Sequence, residues 1–187
     1  MFNGDIDDDC LMLESILSQL TYKSGADRYK LCPTRKGNGS ILYGNTWRAF
    51  LKYGEPDAAT GIRPMIYRKK DPDAVGKYLS RAQEIYPQLQ EIFEEFRDYH
   101  FADFDFSHVM MNRNYDVDWH RDAANVGESV VIAMGDFTGG STQIKDVDGV
   151  ITNLDSHNNP QQFDGSKIEH RVEPFEGERY SLVFFKN

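Results

Sequence analysis

The second half of the sequence alternates short apolar runs with turn residues, and this pattern constrains the fold more than any other feature. Turn sequences such as Gly139-Gly140 and Asp164-Gly165 separate the runs. Many close-set strands of this kind indicate a β-sandwich or a β-barrel. The runs, rich in Val, Ile, Phe and Thr, predict strands at residues 104–112, 115–121, 129–135, 141–146, 161–164, 167–172 and 178–186.

The N-terminal half predicts helices and irregular structure instead. Apolar residues at helical spacing indicate a short amphipathic helix at residues 8–20. Residues 21–70 are rich in Gly, Pro and Lys, which predicts irregular structure with one short helix at residues 46–52. Helices that precede a run of strands indicate an α+β fold, in which the helices pack on the outside of the β core.

A longer helix is predicted just before the strands. Asp71 suits its N-cap, and Pro72 suits the first helical position because no partner is needed there for the missing N–H. Apolar residues then recur at helical spacing up to Phe96. Pro87 interrupts this pattern, so we expect the helix to kink or restart there.

Length and composition favour one domain inside a cell. We expect a single domain over residues 1–187, with a helical and irregular support region at 1–100 and a β core at 101–187. No apolar stretch approaches the roughly 20 residues that a membrane span needs. Residues 1–9 carry four Asp and no basic residue, which is unlike a signal or transit peptide, and two cysteines are too few for a disulfide scaffold. These features predict a cytoplasmic location, which for a viral protein means the host cell.

Charge is distributed unevenly along the chain. The formal net charge is -9, yet residues 21–70 hold 11 Lys and Arg against three acidic residues, a net of +8. The rest of the chain therefore carries -17. This asymmetry predicts one basic face on an acidic body, which could contact nucleic acid or a nucleotide. The alternative is a solvated basic surface with no binding role.

The sequence Trp119-His120-Arg121-Asp122 places a histidine and an aspartate two positions apart within a predicted strand. Side chains at positions i and i+2 of a strand point the same way, so an imidazole and a carboxylate can face one pocket. In a chain with 5 His and 19 Asp, chance supplies such a pair in about every second sequence. Alone, the pair is therefore a weak signal for a metal site.

Three downstream residues strengthen that signal. His170 lies in a predicted strand, and Arg179 and Ser181 open the next, with the turn at 174–177 expected to join the two strands as a hairpin. Two histidines and one carboxylate form the triad that leaves three positions open on non-haem Fe(II), although Zn(II) accepts the same ligands. A bound 2-oxoglutarate would fill two open positions and O2 the third. The distal carboxylate of 2-oxoglutarate needs the planar set of donors that an arginine such as Arg179 offers. Ser181 can add a hydroxyl donor beside it.

The order His-x-Asp, His and Arg-x-Ser over residues 104–187 resembles the Fe(II)- and 2-oxoglutarate-dependent oxygenases. The resemblance implies a double-stranded β-helix, the jelly-roll or cupin-like fold, and a dioxygenase that hydroxylates a C–H bond while oxoglutarate becomes succinate. It implies Fe(II) held by His120, Asp122 and His170. The expected oxoglutarate contacts are Arg179, Ser181 and Asn112. The competing hypothesis is a β-fold binding module without catalysis.

Four segments around the triad, at residues 111–115, 120–129, 135–140 and 163–165, look most like the TET/JBP-type branch. Members of that branch hydroxylate the C5-methyl group of pyrimidines in nucleic acid. The chain lacks the Cys-rich zinc segment of animal TET proteins and the long DNA-binding insert of JBP proteins. Arg121 and Asn125 are the candidate substrate contacts, although Arg121 could face solvent and Asn125 could serve only as a turn residue.

Two other substrate classes remain open. Asn112 and Asn114-Tyr115, upstream of the His-x-Asp pair, resemble an AlkB-like nucleic-acid demethylase, but the short interval from His170 to Arg179 fits that branch less well. A hydroxylase of a protein side chain or a small metabolite would need no basic nucleic-acid surface at residues 21–70.

Overall fold

The structure is a computed structural model that describes residues 1–22, 39–45, 52–53, 65–66 and 79–187. The helices of these ranges are α1 (Ile6–Ser18), α2 (Arg81–Ile85) and α3 (Leu89–His100). The first six strands are β1 (Gly39–Gly44), β2 (Lys52–Tyr53), β3 (Met65–Ile66), β4 (His108–Arg113), β5 (Ser129–Met134) and β6 (Phe137–Gly139). The remaining strands are β7 (Thr142–Lys145), β8 (Ile151–Leu154), β9 (Gln161–Phe163), β10 (Glu169–Val172), β11 (Phe175–Gly177) and β12 (Tyr180–Phe185).

The larger sheet has five antiparallel strands in the order β1-β4-β12-β5-β9. Side chains along these strands alternate between two environments, as strand geometry requires. On β12, Leu182 and Phe184 belong to the buried core that includes the helices. The alternate residues Ser181 and Val183 line a cavity on the opposite face. The sheet therefore separates the core from the cavity.

The helices cover the core face of the larger sheet. Asp5 caps α1 by accepting hydrogen bonds from two backbone N–H groups, and Leu13 and Leu17 of this helix are fully buried. Phe93 of α3 meets Phe184 edge to face, with ring centroids 5.9 Å apart. The predicted α+β arrangement, with helices outside a β core, is confirmed.

A buried carboxylate ties the N-terminus to α3. Asp9 is 1% exposed and accepts hydrogen bonds from the backbone N–H groups of Asn3 and Gly4 and from His100 Nε2, at 2.8 to 3.0 Å. Burial acts to raise the pKa of Asp9, but these hydrogen bonds outweigh it, and the pKa lies below its usual value. The ionised carboxylate therefore belongs to the folded state.

The smaller sheet has the order β10-β7-β8, and its strands are antiparallel. Two short pairs, β11 with β6 and β2 with β3, complete the strands of the described residues. Thr142, His170 and Val172 of the smaller sheet line the same cavity as Ser181 of the larger sheet. The cavity therefore lies between the two sheets, as in a double-stranded β-helix. None of the described helices is long and apolar enough to cross a membrane.

The helix predictions are met only in part where the structure describes them, because Lys52 lies in β2 and residues 79–80 precede α2. The predicted helix at 8–20 is α1, displaced by two residues. Pro87 separates α2 from α3, as its missing N–H predicts. The predicted helix start at Asp71 and Pro72, and nearly all of the short helix predicted at 46–52, lie outside the described residues.

Two strand predictions were wrong. Residues 115–121 form no strand apart from a single bridge at His120, because Asn114 adopts a left-handed backbone conformation (φ 48°) that ends β4. The expected hairpin across residues 174–177 does not form. This segment contains β11, which pairs with β6, and it carries the chain from β10 in the smaller sheet to β12 in the larger one.

Candidate active site

Two histidines and an aspartate meet at one wall of the cavity. His120, Asp122 and His170 each offer one ligand atom, and these atoms lie within 4.8 Å of one another. Nε2 of His120 is 3.8 Å from Asp122 Oδ1, and Nε2 of His170 is 3.5 Å from Oδ2 of the same carboxylate. Two imidazole nitrogens and a carboxylate at this spacing suit a divalent metal such as Fe(II), although the donor set also suits Zn(II).

Backbone carbonyl groups orient both imidazole rings. Nδ1 of His120 donates to the carbonyl of Asp118 at 2.8 Å, and Nδ1 of His170 donates to the carbonyl of Ile168 at 3.0 Å. A carbonyl can only accept, so Nδ1 carries the proton and Nε2 of each neutral ring presents a lone pair. Burial lowers the pKa of His120, and the neighbouring His170 lowers it further. The metal-binding form of His120 is therefore favoured.

Three backbone hydrogen bonds bring the triad together. The N–H of His120 donates to the carbonyl of His170, and the N–H of His170 donates to the carbonyl of His120, both at 3.0 Å. Asp122 N–H donates to the carbonyl of Gly165 at 2.9 Å. The His-x-Asp pair therefore reaches one site through a one-residue bridge and a loop, and not through the strand that the sequence predicted.

Gly165 leaves room for the triad. A methyl group at this position would lie 3.3 Å from His170 Cε1 and 3.7 Å from Asp122 Oδ2. Sequence analysis had placed Gly165 only in a turn. A glycine between two predicted strands is explained by the turn alone, so the sequence contained no separate signal for this contact.

The cavity beside the triad has a volume of about 400 Å³, which is within the range of small-molecule sites. It is lined by both sheets and by the loop that follows the His-x-Asp pair. Apolar side chains contribute much of its wall: Leu42, Met110, Val117, Val131, Phe163, Val172, Val183 and Phe185. Its polar lining includes Asn112, His120, Asp122, Asn125, Thr142, His170, Arg171, Arg179 and Ser181.

Arg179 is the most deeply buried charged side chain of this lining, at 1% exposure. Its guanidinium carbon lies 5.4 Å from the ring centre of Phe137 and 5.6 Å from that of Phe175. A side chain at Gly140 would lie 3.2 Å from Cδ and Nε of Arg179, so this glycine leaves space for the arginine. The arrangement holds a buried cation in the cavity wall, where a carboxylate ligand can pair with it.

Asn114 clamps the backbone of Arg179. Its side-chain oxygen accepts from Arg179 N–H at 2.8 Å, and its own N–H donates to the Arg179 carbonyl at 2.7 Å. Sequence analysis noted Asn114 only for its resemblance to another branch. Asparagine tolerates a positive φ better than most residues, and this property makes both hydrogen bonds geometrically accessible.

A polar row crosses three strands on the cavity face. Ser40 of β1, Asn112 of β4 and Ser181 of β12 lie opposite one another in register. The Ser40 hydroxyl donates to Asn112 Oδ1 at 2.8 Å, and Asn112 Nδ2 donates to Ser181 Oγ at 3.3 Å. Asn112 and Ser181 line the cavity together with Arg179.

The two predicted substrate contacts lie in different places. Asn125 lines the cavity, and it also completes the turn after Asp122, since its N–H donates to the Asp122 carbonyl at 2.8 Å. Arg121 is exposed and is not part of the cavity lining. Arg171, which sequence analysis passed over, does line the cavity. The predicted basic segment at residues 21–70 lies largely outside the described residues.

No protein-family model matches the chain, and no curated protein matches its sequence. Solved structures do match. An oxidoreductase of the 2OG-Fe(II) oxygenase family from Burkholderia pseudomallei has a TM-score of 0.50 at 14% identity, over 94% of this chain and 76% of that one. The structure of OsALKBH1 has a TM-score of 0.48 at 16% identity, over 98% and 95% of the two chains. NgTET1 in complex with 5mC DNA has a TM-score of 0.42 at 13% identity, over 93% and 68%.

The first of these similarities shows that the chain shares the fold of that oxidoreductase. The predicted double-stranded β-helix is thereby confirmed. The matches to OsALKBH1 and NgTET1 have TM-scores below 0.5, and no branch is assigned from them. The TET/JBP-type assignment made from the sequence is one of several that the fold permits.

Proposed function

We propose that this protein is an Fe(II)- and 2-oxoglutarate-dependent dioxygenase that hydroxylates a C–H bond. One observation carries the proposal: two imidazole Nε2 atoms and a carboxylate converge in a cavity that also contains a buried arginine. A buried guanidinium in the same cavity suits the distal carboxylate of oxoglutarate. The match in fold to a 2OG-Fe(II) oxygenase supports the same conclusion.

His120, Asp122 and His170 would hold the metal, and Arg179 would pair with the distal carboxylate of oxoglutarate. When bound, Fe(II) and oxoglutarate supply the oxidation of a C–H bond by O2, with loss of CO2 and formation of succinate. Ser181, 4% exposed, and Asn112 place a hydroxyl and an amide beside the arginine. The apolar wall limits water in the cavity, so the ion pair with Arg179 is stronger than it would be in solvent.

Orientation of the metal ligands depends on groups outside the metal shell. The carbonyl groups of Asp118 and Ile168 accept from Nδ1 of His120 and His170, so Nε2 is the atom that each ring offers to a metal. Asp122 lies on a loop, and its backbone N–H donates to the carbonyl of Gly165. These contacts hold the ligand atoms near one another before the metal arrives.

For the substrate we propose the C5-methyl group of a pyrimidine in nucleic acid or a nucleotide. The resemblance of the segments around the triad to the TET/JBP-type branch supports this choice, as does the basic composition of residues 21–70. The alternatives are an AlkB-like demethylation of nucleic acid and the hydroxylation of a protein side chain or a small metabolite. A methylated base in a duplex would have to flip out of the base stack to reach the cavity.

The test is a product screen with the purified protein, Fe(II), oxoglutarate and O2. DNA, RNA and free nucleotides that contain 5-methylpyrimidines are incubated, digested and analysed by mass spectrometry for nucleosides that have gained one oxygen atom. We expect hydroxymethylpyrimidine with the wild type and none with His120→Ala. The same nucleic acids methylated on a ring nitrogen are screened in parallel, and loss of that methyl group would favour the AlkB-like alternative. Succinate formation without any modified nucleoside would contradict the proposed substrate but would agree with the proposed reaction class.

A further inference from the structure

The backbone pairing that brings His120 to the triad is short. His120 lies outside the strands and exchanges two backbone hydrogen bonds with His170, both at 3.0 Å. One further hydrogen bond joins the same segment to β10, from the N–H of Val172 to the carbonyl of Val117 at 3.0 Å. Strands usually pair over several residues, so a single bridge restrains the backbone of His120 less than a strand would. Side chains beside the bridge can supply the missing restraint.

The residues next to the two histidines lie on the face of the smaller sheet that is turned away from the cavity, here called the outer face. Successive side chains of a strand point to opposite faces, and His170 faces the cavity. Arg171 therefore borders the cavity with its main chain, while its side chain projects to the outer face beside Gln143, its partner on β7. Trp119 is opposite Arg171 across the bridge between His120 and His170, so it lies on the same face.

The indole of Trp119 contacts two cations on the outer face. The guanidinium carbon of Arg171 lies 4.8 Å from its ring centre, and Lys145 Nζ lies 4.5 Å from it. Both cations are themselves held, because Arg171 Nε donates to Gln143 Oε1 at 2.7 Å and Lys145 pairs with Glu169 at 2.8 Å. Arg171 belongs to β10 and Lys145 to β7, so cation–π attraction ties the indole to two strands of the smaller sheet.

The residue on the other side of His120 also faces the smaller sheet. Arg121 is opposite Glu169 across the bridge. The hydrogen bond from Lys145 and the charge of Arg121 hold the pKa of Glu169 below its usual value. Arg121 is exposed, so its attraction to Glu169 is weaker than the contacts of Trp119. The two neighbours of His120 thus both interact with the outer face of the sheet.

We propose that Trp119, held by Arg171 and Lys145, is a positioning residue that fixes His120 at the metal site from the outer face. This inference rests on the proposed function, because it concerns the ligands of the proposed metal. A fixed indole restrains the main chain at residue 119, and the next residue along the chain is the metal ligand. Without the indole, His120 should move, whereas His170 should stay in place because β10 pairs with β7 along its whole length.

The test measures the affinity of the protein for Co(II) and the visible absorption of the Co(II) complex, which changes with the number and geometry of the ligands. We expect Trp119→Ala to raise the Kd for Co(II) about tenfold, the lower end of the range for residues that orient metal ligands, and to change the spectrum at saturating Co(II). Trp119→Phe keeps an aromatic face and should restore the wild-type spectrum and a Kd within about threefold of the wild type.

Two arginine variants complete the test. Arg171→Gln leaves the indole in place but removes one of its cations, and it should raise the Kd for Co(II) about threefold. The matched control is Arg97→Gln, which removes an arginine that lies 5.9 Å from the ring centre of Phe106, on the helical side of the larger sheet. This control should keep the wild-type affinity and spectrum.

The outcomes separate this inference from the proposed function. A Trp119→Ala protein that lost free energy of unfolding but kept the wild-type Kd and spectrum would overturn the inference, because the indole would then only stabilise the fold. If Trp119→Ala does not fold, Arg171→Gln decides, and an unchanged affinity for Co(II) would overturn the inference. A wild type without affinity for Co(II) would overturn the proposed metal site as well, whereas wild-type binding that neither variant weakens would overturn the inference alone.

Discussion

Gly165→Ala should weaken metal binding without unfolding the protein. The new methyl group would lie 3.3 Å from His170 Cε1 and 3.5 Å from Phe163 Cε2. Favourable carbon–carbon contacts lie at about 3.5 to 4.0 Å, so the imidazole must move by a few tenths of an ångström. Cε1 is bonded to Nε2, and the displacement therefore moves the ligand atom itself.

The size of the effect follows from the cost of overpacking. Extra methyl groups in close-packed sites cost about 1 to 3 kcal/mol. If the imidazole of His170 moves away from the new methyl group, this cost arises when metal binding returns the ring to the triad. About 1.4 kcal/mol corresponds to a tenfold change in the affinity for the metal. We expect the Kd for Mn(II) or anaerobic Fe(II) to rise about 10- to 100-fold. The stability of the metal-free protein should change by less than about 1 kcal/mol, because Gly165 does not have a left-handed φ.

Calorimetric titration with Mn(II) and chemical denaturation measure these two quantities. Gly127→Ala is the matched control: its methyl group would meet nothing within 4 Å, but its φ of +76° strains any other residue. The control should lose about 1 kcal/mol of stability and keep its metal affinity. If Gly165→Ala bound Mn(II) as tightly as the wild type, the geometry described for His170 would be wrong.

Four further predictions concern other parts of the molecule. Asn114→Ala should lower stability by about 1 to 2 kcal/mol and weaken oxoglutarate binding, measured by calorimetry, because it releases the backbone of Arg179; unchanged binding would contradict the clamp. Arg179→Lys should raise the Kd for oxoglutarate about tenfold or more, since one ammonium replaces a planar fork; equal affinity would argue against that role. The stability that the Asp9 carboxylate contributes should be complete above about pH 4 and should be lost as the pH falls through its lowered pKa in the folded protein. The free energies of unfolding of Asp9→Asn and the wild type, measured by denaturation, should therefore converge in acid. A difference that stays constant with pH would refute this. Burial raises the pKa of Cys10 to about 12, so a thiol reagent at pH 8 should modify Cys10 only after unfolding. Peptide mass spectrometry distinguishes Cys10 from Cys32, and rapid labelling of Cys10 in the native protein would show that the core is open there.

The sequence was sufficient to select the three metal-ligand candidates and Arg179. Residue type and chain order carried this information, because few side chains suit Fe(II) or the carboxylate of oxoglutarate. The route by which His120 and Asp122 reach the site was not predicted. Their segment looked like a strand, but the left-handed Asn114 and a lone bridge to His170 replace it.

Strand pairing was less predictable than strand location. Residues 167–172 and 178–186 are strands or contain them, yet they lie in different sheets because β11 intervenes. The alternation of apolar and polar residues in a sequence indicates a strand but does not identify the strand that pairs with it. Pairing depends on which side chains are buried on both faces of each sheet. The same limit explains why Arg121, adjacent to His120, was selected as a substrate contact, whereas Arg171, adjacent to His170, lines the cavity.

Gly140 and Gly165 show a further limit. Both were assigned to turns, and both leave space for side chains of the candidate site that lie on later strands: Arg179 in the first case and His170 in the second. A glycine in a turn pattern is explained by the turn alone, so its second role becomes visible only when the neighbouring elements have been placed.

The most direct measurement of the proposed activity is the formation of succinate on addition of O2. Protein loaded anaerobically with Fe(II), oxoglutarate and a 5-methylpyrimidine nucleotide is exposed to O2, and succinate is quantified by chromatography. The wild type should convert oxoglutarate to succinate, and Asp122→Ala, which lacks the carboxylate ligand, should form no more than Fe(II) without protein. Equal succinate from Asp122→Ala and the wild type, or none from either, would contradict the proposal that this triad supports oxoglutarate-dependent oxidation.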